Sequence, residues 1–140
     1  MYQKDYILRM IEMLGDLLAS IFGLIKKGDY KRASENLGKI YYDMLKEDAA
    51  FFRAIPADEL TRKLLKEHNY TNGHLEILAE LFNAEAELDL AQGKRSSCLE
   101  YSTKSLILFE FIDREQRTYS SERLEKMAAI SKRIEEVQLG

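Results

Sequence analysis

Two stretches of this chain read alike: Lys27-Gly28-Asp29-Tyr30-Lys31-Arg32-Ala33 and Gln92-Gly93-Lys94-Arg95-Ser96-Ser97-Cys98. In each, a glycine ends a long segment with apolar residues at helical spacing, and a small residue follows five positions later. Glycine adopts the left-handed backbone that closes a helix, and a small side chain lets the next helix come close. The repeated phrase therefore predicts helices that fold back on one another as hairpins. One proline and seven glycines leave the intervening stretches free of helix breakers, so the expected fold class is all-α.

The periodicity places six helices. The first is expected over about 5–27, where Ile7, Ile11, Leu14, Leu18, Ile21 and Ile25 recur at 4-3-4-3-4 spacing, with Met10, Met13, Leu17 and Leu24 forming a second stripe beside them. So wide an apolar face suits either a central helix or a dimer surface. Gly28 closes this helix and Asp29 caps the next, about 30–46, which turns Ala33, Leu37, Ile40, Tyr41 and Met44 inward. Phe51, Phe52 and Ile55 form an apolar knot before Pro56, which suits the first turn of a short helix over 57–67. Residues 68–73 read as a loop. A fourth helix over 74–92 carries Leu75, Leu78, Ala79, Phe82, Ala86 and Leu90 on one side, and a fifth over 95–114 carries Cys98, Tyr101, Ser105, Phe109 and Ile112. After a loop near 118–121, a sixth helix over 122–138 is expected to face inward with Leu124, Met127, Ser131, Ile134 and Val137.

Composition narrows the class. A chain of 140 residues with 46% hydrophobic and 32% charged residues has enough apolar side chain to build a core without staples. A net charge of −3 offers no basic footprint for nucleic acid, and the cluster Lys26, Lys27, Lys31 and Arg32 is diluted by Asp29. The lone Cys98 allows no internal disulfide and fits a reducing compartment, while Asp5, Arg9, Glu12 and Asp16 interrupt the first helix short of a membrane or signal length. A cytoplasmic protein with neither a nucleic-acid nor a membrane partner is expected.

Superposing Gly28 on Gly93 aligns two hairpins, 5–47 and 74–114, and each resembles a tetratricopeptide-like unit. Gly28, Asp29, Tyr30 and Ala33 match the family's pattern in the first unit. Phe82, Ala86, Gly93, Cys98 and Ser105 do so in the second. The departures are Leu17 and Ile21 at the large-then-small pair, no closing proline, and a spacing nearly twice the family's period. The opening run from Tyr2 to Glu12 and the internal Leu75-Glu76-Ile77-Leu78-Ala79-Glu80-Leu81 are also similar to a group of uncharacterised bacterial tetratricopeptide-like proteins. The resemblance implies one domain over 1–140: a degenerate right-handed superhelix of hairpins 5–47 and 74–114, with the short helix 57–67 between them and 122–138 as a polar-faced cap. It implies no established activity.

Residue chemistry adds no catalytic motif. No phosphate-binding glycine loop or nucleophile elbow occurs. His68 and His74, with Glu67 and Glu76 nearby, lack the convergent set that zinc demands, and neither follows a glutamate at the three-residue step of a di-iron helix, so they read as loop or capping residues. Glu76 and Glu80 read as a solvated face. Cys98, with Lys94 and Arg95 within a turn, reads as a buried packing residue that would react only if those charges lowered its pKa. No catalytic, cofactor or metal residue is assigned.

The function expected is a non-catalytic protein–protein interaction module. Because tetratricopeptide-like units line a concave groove with the first helix of each hairpin, the resemblance implies that Glu80, Asn83, Glu87, Leu18, Phe22 and Ile25 line it here. Such an acidic and apolar groove would take a basic amphipathic helix or an extended peptide. The alternative is a self-associating structural protein that forms a homodimer through the first helix. An enzyme with an unusual helical site is a remote third.

Overall fold

A computed structural model describes residues 2–116 and 119–140, and the fold is all-α. Helix α1 spans Tyr2–Lys26, α2 Tyr30–Leu45, α3 Ala49–Arg53, α4 Leu60–Arg62, α5 Asn72–Ala91, α6 Arg95–Gln116 and α7 Ser121–Leu139. A 3-10 turn, Ala57–Glu59, leads into α4 and a π turn, Lys63–Glu67, leaves it, so 57–67 is one short composite helix. The expected loop near 118–121 lies in part outside the described residues.

Both glycine bends form as the repeated phrase predicts. Gly28 and Gly93 stand at φ +81° and +74°, the left-handed region that an L side chain enters only with strain. Around Gly28 the backbone N–H of Asp29 returns to the Leu24 carbonyl at 2.9 Å, and around Gly93 that of Lys94 returns to Asp89 at 2.8 Å. These are the six-residue closures that satisfy the last carbonyls of a helix. Asp29 then caps α2 by accepting from the Arg32 N–H. Each connection is three residues long, so α2 folds back on α1, and α6 on α5.

The centre of the molecule is α5, not α1. Leu75, Ile77, Leu78, Ala79, Leu81, Phe82, Ala84, Ala86 and Leu88 are buried and cover most of the circumference of the helix, leaving one arc to the half-buried Glu76, Glu80, Asn83 and Glu87. It packs against α1 and α2 on one side and α6 on the other. Leu90, expected inside, lies exposed at the last turn. Small residues set the α5–α6 approach: Ala79 and Ala86 face Cys98, Ser102 and Ser105, and the buried Ser105 hydroxyl donates to the Ala79 carbonyl at 2.7 Å. α5 also starts earlier than expected. Thr71 caps it in a reciprocal box with His74: the His74 N–H donates to Thr71 Oγ1, and the Thr71 N–H donates to His74 Nδ1. Gly73, placed in the expected loop, lies inside the first turn, where an added methyl would strike the Ile7 side chain of α1.

The apolar knot is a helix of its own, α3, capped by Asp48 accepting from the Phe51 N–H at 2.9 Å. Phe52 is fully buried and stacks on Tyr41, and Ile55, Leu60 and Leu64 continue the core under it. Tyr70 donates to the Leu45 carbonyl at 2.6 Å and so closes the end of α2.

The glycine bends make a paired stability test. Gly28→Ala forces a methyl into left-handed backbone and is expected to cost about 1–2 kcal/mol. Gly38→Ala in mid-α2, where a methyl meets open space, is expected to gain about 0.5–1 kcal/mol. Urea unfolding reads both. Equal effects of the same sign would mean that Gly28 does not close α1 as described.

Candidate docking surfaces

α1 buries one side and leaves another bare. Ile7, Leu14, Leu18 and Ile21 enter the core, whereas Met13 is 59% exposed, Tyr6 55% and Leu17 39%. Those three line a groove between α1 and α2 with a volume of about 620 Å³. Met10, Ile21, Ile40 and Met44 form its apolar floor, and Arg9, Ser20, Asn36, Lys39 and Asp43 its rim. The stripe Met10, Met13, Leu17 read from the sequence is half of this groove. The α2 half went unread because Ile40 and Met44 serve the core as well, and position on one helix does not say which neighbour leaves a gap.

A second hollow gathers most of the residues expected in the concave groove. Phe22, Ile25, Asn83 and Glu87 lie together with Lys26 around an open space of about 440 Å³ between α1 and α5. Leu18 is not among them; at 6% exposure it belongs to the core. Glu80 lies further along α5, in a separate crevice with Glu76, Ile11, Leu14 and Lys126.

The acid in this region is already answered from within the chain. Arg133 of α7 spreads its guanidinium over three acceptors: Nε to Ser102 Oγ at 3.0 Å, Nη1 to Glu87 Oε1 at 2.6 Å and Nη2 to Asn83 Oδ1 at 2.7 Å. Lys126 pairs with Glu80. Arg123 donates from Nε and Nη2 to Asp113 at 3.0 and 2.9 Å, and Arg95 of α6 donates to the Val137 carbonyl at the end of α7. A planar guanidinium with each nitrogen placed on an acceptor is a geometric clamp as well as a charge pair.

Two expectations are corrected by this arrangement. The inward face of α7 is Arg123, Ile130, Arg133 and Val137; Leu124 and Ser131 are exposed, and Met127 and Ile134 only half-buried. The helix is rolled so that its bases reach α5 and α6. Glu76 and Glu80, in turn, are not a solvated face. Both are half-buried beneath α7, and burial first, then the Glu80 charge, pushes the Glu76 carboxyl above its ordinary range.

A polar cluster crosses the opposite side of α5. Arg53 bonds Glu85 and lies over the Tyr41 ring, while Lys104 donates to the Arg53 carbonyl at 3.0 Å and Glu100 at 3.2 Å. Burial, then Glu85, holds the Tyr41 hydroxyl far above its usual pKa. Asp89, buried, with one carboxylate oxygen lacking a hydrogen-bond partner among the described residues, is pushed up to about 6 by desolvation and by Glu85, against the pull of Lys94 and Arg53.

The remaining reactive groups have structural duties. His74 caps α5 and its pKa is lowered by burial, and His68 packs edge-on against Phe51 with ring centres 4.9 Å apart. Cys98 is buried and desolvation raises its thiol pKa, so Lys94 and Arg95 do not activate it. No group of three or more His, Cys, Asp and Glu converges on a metal-sized space among the described residues, and no described helix is long and apolar enough to cross a membrane. No family model, curated protein or solved structure matches the chain.

Asp89 gives a pH-dependent test. Its folded pKa lies above the unfolded value of 3.8, so the folded state favours the protonated acid, and that advantage is lost as pH rises from about 4 to 6. Asp89→Asn is expected to stabilise the protein by about 1 kcal/mol at pH 7.5, after allowing for partial solvent access, and by little at pH 4. Thermal unfolding at the two pH values reads the difference. Destabilisation at pH 7.5 would show instead that Lys94 and Arg53 hold a needed charge.

Proposed function

We propose that this chain is a non-catalytic protein–protein interaction module built on tetratricopeptide-like hairpins, and that it docks the apolar face of a partner helix in the α1/α2 groove. The observation that carries the reading is the contiguous bare stripe of Tyr6, Met13 and Leu17 above a floor of Met10, Ile21, Ile40 and Met44. Exposed apolar surface of this kind costs solubility unless a partner covers it. Two helices flanking a groove accept a third helix through an i, i+3, i+4 pattern of anchors. Three methionines, Met10, Met13 and Met44, give the walls a soft and adaptable lining.

The stacking supports the tetratricopeptide-like part of the proposal. α5 begins the second hairpin and packs against both helices of the first, while α7 lies on α6 and bonds to α5 as a terminal helix whose outer side is charged. α1/α2 then forms the open end of the stack, the place where a preceding repeat or a partner helix would continue it. The acidic concave groove takes second place as a docking site, because Arg133 and Lys126 already neutralise Glu87 and Glu80. A partner for the groove therefore needs an apolar stripe more than a basic one.

A photo-crosslinking benzophenone residue at Met13, compared with one at the exposed Glu125 of α7, tests the reading in the native cell extract. The expected result is a discrete protein adduct from position 13 that free wild-type chain or Met44→Lys suppresses at least several-fold. Equal adducts from both positions, or none from position 13, would contradict a docking groove.

A further inference from the structure

The groove contains a clue to what fills it. Tyr6, Met10, Met13, Leu17, Ser20 and Leu24 follow one another at 4-3-4-3-4 spacing, the seam pattern of two helices packed side by side. This seam runs beside the one that α1 already buries, Ile7, Leu14, Leu18 and Ile21; Met10 and Leu24 of the second seam also touch the core, while Tyr6, Met13, Leu17 and Ser20 are left exposed. From Tyr6 to Ser20 the stripe is roughly 21 Å long at 1.5 Å per residue, enough for three helical turns of contact and more.

Charge along the edges of the seam is self-complementary. Arg9 and Asp16 lie seven residues apart on the solvent edge, and both are exposed. On the α2 edge, Lys39 and Asp43 are one turn apart and both exposed. None of the four makes an ion pair among the described residues. In an antiparallel pair, equivalent edges of the two helices meet, so Arg9 of each copy faces Asp16 of the other. A parallel pair would instead set the Arg9 and Asp16 edge of each copy against the opposite, α2-side edge of the other, and Arg9 would not meet Asp16. The α2 edges meet in the same sense, Lys39 toward Asp43.

We propose that the α1/α2 groove is covered by the same groove of a second copy of this chain, the two α1 helices running antiparallel about a two-fold axis near Met13. This rests on the reading of the groove as a docking surface and names its occupant. The contact is isologous, so it closes at a dimer and does not propagate. Tyr6, Met13 and Leu17 of each copy are then covered by those of the other, which removes the exposed apolar patch from water. The open end of each hairpin stack becomes the middle of a longer one, with the two α7 helices at its outer ends.

Sedimentation equilibrium on the full chain tests this. The expected mass at micromolar and higher concentration is twice the 16.3 kDa of the monomer. Met13→Lys is expected to raise the dissociation constant at least 100-fold, and Arg9→Glu or Asp16→Arg alone about 10-fold. The double exchange Arg9→Glu with Asp16→Arg is expected to regain most of the loss. All three positions are exposed in the single chain, and a helical circular-dichroism spectrum confirms that each variant is folded. A monomer at all concentrations overturns the proposal, as does a dimer indifferent to Met13→Lys. A dimer that the charge exchange fails to rescue overturns the antiparallel register. Should position 13 crosslink to a different protein while the chain sediments as a monomer, the groove remains a docking site and the second copy is excluded from it.

Discussion

The structure depends on burying one helix on all sides. α5 carries apolar or small residues over most of its circumference, and these are covered only when α1, α2 and α6 close over it, while α7 answers the polar arc of Glu80, Asn83 and Glu87. Each neighbour is positioned by that demand. α6 approaches closely because Ala79 and Ala86 meet Cys98, Ser102 and Ser105, and the Ser105 hydroxyl satisfies a carbonyl in the contact. α1 and α2 come as one hairpin, set by the bend at Gly28, and give α5 a two-helix wall. The price of covering α5 with a hairpin is that the hairpin's far side is left without a neighbour, and there the apolar groove opens.

Polar interactions finish what packing leaves open. α7 contributes only Ile130 and Val137 fully to the interior, with Met127 and Ile134 packed at its edge, and ion pairs add to its hold on α5 and α6. Arg133 alone ties α7 to Asn83 and Glu87 on α5 and to Ser102 on α6. Partly buried, hydrogen-bonded pairs of this kind specify the seat of a helix more than they add net stability, since desolvation offsets much of their attraction. The same logic applies to Arg53 and Lys104, which fasten the short α3 against α5 and α6. Ion pairs thus help to seat α3 and α7 against α5 and α6.

Much of this was legible in the residues. The C-terminal ends of α1 and α5 and the starts of α2 and α6 follow from local signals, namely glycine at a left-handed bend, Asp29 as a cap and sustained 3.6-residue periodicity, and these need no knowledge of distant contacts. The inward residues of α2 were readable for the same reason. The short helix 57–67 is signalled by Pro56 and the acids of its first turn, whereas α3 is too short to declare itself by period and persists because Phe52 is buried by other segments. The inward face of α7 was readable only in part: Val137 is buried and Met127 and Ile134 pack against the core as hydropathy suggests, but hydropathy does not place its two arginines there. An arginine scores as solvent-facing, and only the fold brings Arg133 to acceptors 46 and 50 residues away. The concave cluster of Phe22, Ile25, Asn83 and Glu87 came from a resemblance and assembled in space, but its acid met a base that the resemblance did not supply.

Native-state hydrogen exchange tests the central role of α5 most directly. Backbone amides from Leu78 to Leu88 are expected to exchange only through global unfolding, with one common free energy across denaturant, while the amides of α3 and of the outer turns of α7 open earlier. If α5 amides exchange through local openings as readily as those of α7, the helix is not the enclosed hub on which the rest is arranged.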